Sequence, residues 1–101
     1  MTKLISEKSA RAFFNDRKFK LDNTSVEVKD NETSMYLWGN KIAWKNSEGM
    51  FFSMCGYPTR TTKDRLSALG IQIGQKNYTQ YWLNSYEDKP MEINSYDIYK
   101  V

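Results

Sequence analysis

The sequence predicts an α+β fold: an antiparallel sheet built on a three- to four-stranded meander, with two short helices packed on one face. Three observations carry this. Residues 35–57 hold three short apolar runs separated by the turn signals Gly39-Asn40 and Asn46-Ser47-Glu48-Gly49, the pattern of a meander. A helix start at Thr61-Thr62-Lys63-Asp64 and a stop at Gly70 sit between strand-like runs, as in layered α+β chains. The length of 101 residues, with 40% hydrophobic and 15% aromatic residues, suits one domain with one modest core. That aromatic share exceeds what a small core readily buries, so some rings are expected at the surface.

Taken in order, residues 1–18 read as a helix with Ser6 as N-cap, Leu4 and Ile5 before it as a staple, and Ala10, Phe13 and Phe14 on one face. The basic run Arg17-Lys18-Phe19-Lys20 ends it and crosses to the sheet. It could meet phosphates, or simply complement the negative end of a helix dipole. Residues 23–29 alternate as a half-buried strand, and residues 30–33 form a polar turn. In residues 34–38 Met35 and Leu37 share one face, Tyr36 and Trp38 the other. In residues 41–45 Ile42 and Trp44 are expected inward, with Lys41 and Lys45 together on the opposite side. Residues 50–55 are apolar on both faces and read as a central, doubly covered strand. In the second helix Thr61 and Asp64 stand as a capping box, Leu66 and Leu69 form the buried stripe, and Gly70 is the C′ residue. Residues 71–76 and 79–83 make two more strands around a turn at Asn77-Tyr78, and residues 91–99 add an edge strand.

The chain is thus one domain of residues 1–101. It comprises an N-terminal helix and crossover (1–22), a sheet with an inserted helix (23–84), and an acidic tail (85–101). Formal net charge is +3. Between residues 41 and 76, six basic residues face two acids, a balance of +4; from 84 to 101, four acids face two lysines, a balance of −2. The middle of the chain is therefore where a polyanion would be met. One cysteine, Cys55, excludes a disulfide within the monomer and fits a reducing compartment. No apolar run is long enough to span a bilayer, and the first residues lack a signal-peptide pattern. The expected location is the cytoplasm of whatever cell makes it, with no membrane partner.

Chemistry is weakened by counting. The chain has no histidine, which removes His-based triads and His metal sites. Cys55 has no base partner in the sequence and reads as an inert thiol. No Gly-rich phosphate loop is present. No catalytic residue, metal site or cofactor is expected, and the chain is read as a non-enzyme.

Binding has more support. Tyr57, Arg60, Lys63 and Arg65 surround the second helix N-terminus, where free backbone N–H groups favour anions. Lys41 and Lys45 lie on the meander, and Lys76 follows the helix. Tyr36 and Trp82 are candidate stacking rings. Rings interleaved with cations on a sheet are how single-stranded nucleic acid is held. The expected nucleic-acid contacts are therefore Tyr36, Lys41, Lys45, Tyr57, Arg60, Lys63, Arg65, Lys76 and Trp82. Ordinary core packing competes for each tryptophan, and a solvated surface competes for the charges. The same aromatics and an edge strand could instead serve a protein partner or a homodimer.

Four segments carry a resemblance: Asn23-Thr24 before a strand, YLWGNKIAWK (36–45), GYPTRTTKDRLSALG (56–70) and QKNYTQYWLN (75–84). Together they resemble a family of small accessory proteins of tailed, T4-like bacteriophages, and the resemblance spans residues 23–84. It implies interference with host defences, directed at RNA or at a host toxin protein. In size and type the chain is similar to an RNA-binding antagonist of a toxin–antitoxin system in that group. The family pattern carries no known catalytic residues.

Overall fold

The computed structural model describes residues 2–85 and 90–101. Its elements are α1 (Thr2–Phe14), β1 (Phe19–Leu21), β2 (Thr24–Lys29), β3 (Glu32–Leu37), β4 (Asn40–Asn46), β5 (Gly49–Phe52), α2 (Arg60–Ala68), β6 (Ile73–Lys76), β7 (Thr79–Trp82), β8 (Met91–Ile93) and β9 (Tyr99–Lys100). They form an α+β fold with two antiparallel sheets rather than one. The larger has the order β1-β2-β3-β4-β5-β9 and the smaller β6-β7-β8. The tail expected as one edge strand is split between them. Glu87 and Asp88, the acids that headed that tail, lie outside the described residues.

Helix α1 buries Ser6, Ser9, Ala10 and Phe13, spaced three and four apart as one helical stripe. Ser6 is therefore inside the helix and not its N-cap, and Leu4 and Ile5 are helical too. Phe14 is turned out, 49% exposed, one position past the stripe. The helix stops at Asp16, which takes a left-handed φ of 53°. The Arg17 N–H then donates to the Ala12 carbonyl at 2.9 Å and the Asp16 N–H to Phe13 at 3.4 Å, the bond pair of a Schellman cap. Helix α2 ends the same way: Gly70 has φ +90°, and the Ile71 N–H donates to Leu66. At its start the cap is Thr59, not Thr61. Thr59 Oγ1 accepts from the Thr62 N–H at 3.2 Å, which leaves Thr61 helical.

In the large sheet two-residue turns join β1 to β5. The β2–β3 turn is Asp30-Asn31 with φ 54° and 65°, the left-handed pair that short hairpins require. The β3–β4 turn is Trp38-Gly39, so Trp38 sits at φ 52° on the hairpin tip instead of within a strand. Between β3 and β4 the register slips. Met35 pairs with Ala43, but Tyr36 pairs with Lys41, so Ile42 is the extra residue of a β-bulge.

Both helices pack on the face carrying Val26, Met35, Leu37, Ala43 and Phe52, all buried. The small sheet joins this core through Trp82, whose ring meets that of Phe52 edge-on at 5.0 Å. No helix of the described residues is long and apolar enough to cross a membrane.

Candidate functional site

The face of the large sheet opposite the helices follows from the register. One row across the strands reads Lys20, Ser25, Tyr36, Lys41; the next reads Glu27, Ser34, Trp44, Phe51, Lys100. Trp44 was expected inward with Ile42. The bulge undoes this: the extra residue at Ile42 lets Ile42 and Ala43 both be buried, and shifts Trp44 onto the open face beside Lys41. For the same reason Lys41 and Lys45 do not share a face. Lys45 belongs to the helix side, with its Nζ 2.8 Å from Asp16 Oδ1 and 5.7 Å from the Phe13 ring. Strand β5 is likewise not covered on both sides, because Phe51 is half-buried on the open face.

Trp44 and Phe51 are direct cross-strand neighbours. Their rings stack with centroids 5.8 Å apart and planes at 20°. The Lys41 ammonium lies 4.9 Å from the Trp44 ring centre, and that of Lys100 lies 5.9 Å from Phe51. The result is a short aromatic pair with a cation at each ring, within the range of cation–π attraction. Lys41 also donates to Glu32 Oε2 at 2.7 Å. Ser34 and Asn46 donate to the same carboxylate, and these bonds, that of Lys41 foremost, hold Glu32 below its usual pKa. The open face thus has a basic aromatic part and, around Glu27, Asp30 and Glu32, a mixed-charge depression at the β2–β3 end.

The nine residues expected to form one nucleic-acid site do not converge. Tyr36 and Lys41 lie on the open face. Tyr57 is 55% exposed, and Arg60 is the exposed first residue of α2. Lys63 donates to Gln75 Oε1 at 2.8 Å, tying α2 to β6, and desolvation lowers its pKa. Lys76 is exposed at the end of β6. Two residues are corrected outright. Trp82 is 4% exposed and is core. Arg65 is 1% exposed. Its Nε donates to Thr24 Oγ1 and its Nη1 to Ser6 Oγ, each at 2.8 Å, and its Nη2 donates to Asn23 Oδ1 at 3.1 Å. It knits α1, α2 and β2 and offers nothing to an external phosphate. Burial lowers its pKa, opposed by nearby Asp64 and Asp22.

Trp44, Phe51 and Lys100 were missed, and Lys20 was read only as part of the basic run that could meet phosphates. A signal for the first two was present: a two-residue turn at Ser47-Glu48 sets residues 44 and 51 opposite each other. Lys100 reaches the site through the β5–β9 pairing, which no local pattern announces. Cys55 is half-buried, and its thiol donates to the Lys41 carbonyl at 3.1 Å. Among the described residues, no group of three His, Cys, Asp or Glu side chains could hold a metal ion.

A model of the Kyanoviridae Gp96 protein family matches residues 1–99. The chain belongs to the Kyanoviridae Gp96 family. This agrees with the resemblance to accessory proteins of tailed, T4-like phages, and extends it over the N-terminal helix and the tail. The Gp96 match names no activity and no toxin–antitoxin system. No curated protein and no solved structure matches the chain.

Proposed function

We propose that this Gp96 protein is a non-catalytic RNA-binding protein of phage counter-defence. It would engage RNA alone, or within a toxin–RNA complex, in the host cytoplasm, and so neutralise a toxin–antitoxin or similar defence. The observation that carries the reading is the Trp44–Phe51 pair on the open face with Lys41 and Lys100 at its rings. Exposed Lys100 can swing off its ring, and Lys41 can exchange its ion pair with Glu32, so that a base stacks while an ammonium meets the adjoining phosphate. The lack of histidine, the commonest general base, favours a binding over a catalytic role.

The test is titration of a short oligouridylate, followed by tryptophan fluorescence and anisotropy. Stacking is worth about 1–3 kcal/mol per base, so Trp44→Ala with Phe51→Ala should weaken affinity roughly ten- to hundredfold. Lys100→Glu, at an exposed position, should weaken it without altering the melting curve. Wild-type protein that fails to bind RNA at low salt refutes the proposal.

One observation favours a protein-directed inhibitor instead. Trp38 is 54% exposed in a left-handed conformation unusual for a bulky residue. Such a tip is suited to insertion into a host protein. The readings separate on purification from expressing cells. Co-purifying material destroyed by nuclease supports RNA, whereas a host protein that survives nuclease supports the inhibitor.

A further inference from the structure

A second cationic surface lies on the helix side of the large sheet. Lys8, Arg11, Asn15, Arg17 and Lys18 line a groove of about 490 Å³ floored by Ala12 and Phe19. Lys8, Arg11 and Asn15 follow one another at helical spacing on α1, and the Schellman cap at Asp16 turns Arg17 and Lys18 back beside them. Four cations line this groove and no acid does. Among the described residues none of the four makes an ion pair. The nearest acid in sequence on the cap, Asp16, is occupied by Lys45 and Thr33. Balancing the helix terminus accounts for only about half a unit of charge, so four unpaired cations are more than the α1 C-terminus calls for.

The groove also reaches the sheet edge that borders the open face. Phe19 forms its floor, and the next residue, Lys20, points to the opposite side of β1 by strand alternation. Strand β1 is the sheet's edge, so no further strand separates the two sides. Lys20 then begins the row Lys20, Ser25, Tyr36, Lys41, which spans three strand spacings, about 14 Å.

We propose that the α1–β1 groove binds the phosphodiester backbone of the same RNA strand, which turns over the β1 edge to reach the aromatic pair. The occupant rests on the RNA reading above; the cationic groove does not. Binding here is to phosphate and therefore indifferent to base identity.

The experiment uses two probes, a short oligouridylate and short-chain inorganic polyphosphate, which has no bases to stack. Arg11→Ala, Arg17→Ala and Lys18→Ala are combined; all three side chains are exposed, so the fold should survive, checked by thermal melting. The expected result is loss of polyphosphate binding. The salt dependence of RNA binding should also become shallower by about two log–log units for three lost cations. Trp44→Ala should weaken RNA binding and leave polyphosphate binding intact. Polyphosphate that binds the triple variant as well as wild type, or binds neither, overturns the groove. Polyphosphate bound through these residues by a protein that ignores RNA overturns the RNA reading and leaves the groove as a polyanion site.

Discussion

Arg65 shows how a side chain's role is set by what closes over it. In sequence it stood among cations at a helix entry, next to Lys63 and Arg60. In the fold its guanidinium is enclosed by Ser6, Asn23 and Thr24, residues up to 59 positions away. Truncation removes a large buried side chain and strands its oxygen partners. Arg65→Ala should therefore lower unfolding free energy by about 2–4 kcal/mol, a large share of a small domain's total of about 5–15 kcal/mol. Urea denaturation would measure it. Arg65→Lys should recover only part, because an ammonium lacks the planar fork that reaches three acceptors. A variant as stable as wild type would show the network to be dispensable. Position 65 was legible as helical and invisible as buried, since its partners come from α1 and β2.

At the level of elements, hairpins were the most legible feature. The turn at Asn77-Tyr78 lies where local sequence placed it, between paired Lys76 and Thr79, with Tyr78 97% exposed at the tip. The bulge at Ile42 was not legible. A bulge arises where the register that satisfies one hairpin conflicts with the register that fills the core, and that conflict exists only between strands. The division into two sheets has the same origin. Trp82 bridges them by its contact with Phe52, so Trp82→Ala should cost about 3–5 kcal/mol. It should also raise hydrogen exchange in β6–β8 before β2–β4, since the small sheet loses its ring contact with Phe52. Uniform loss of protection across both sheets would contradict that order.

For the whole molecule, charge placement governs behaviour in acid. Asp16 is held below its ordinary 3.8 mainly by its hydrogen bond from Lys45, then by Thr33. Glu32 is held below 4.5 mainly by Lys41, then by Asn46. Both carboxyls bind protons less readily folded than unfolded. Their contribution is present above the ordinary carboxylate range and is lost as pH falls through the lowered values. Both pairs are solvent-accessible, so the effect should be small and weakened by salt. Thermal midpoints followed from about pH 6 to pH 2 at low ionic strength should fall, and fall less steeply in Asp16→Asn with Glu32→Gln. Equal slopes would place the acid sensitivity elsewhere.

Local signals were sufficient for the α+β class, the meander, the Gly70 stop and the buried Leu66 and Leu69. Each depends on residues within a few positions of one another, where turn chemistry and side-chain period act directly. The make-up of the open face depended on long-range pairing. Which rings turn outward, Trp44 and Phe51 in place of Trp82, was set by a bulge and by β9 returning to β5. Lys45 was drawn to Asp16 and Phe13 at the end of α1, and Arg65 was buried against Ser6, Asn23 and Thr24. Contacts across tens of residues are fixed by how the layers fill one core, so which side of the sheet stays open emerges only once that core has closed.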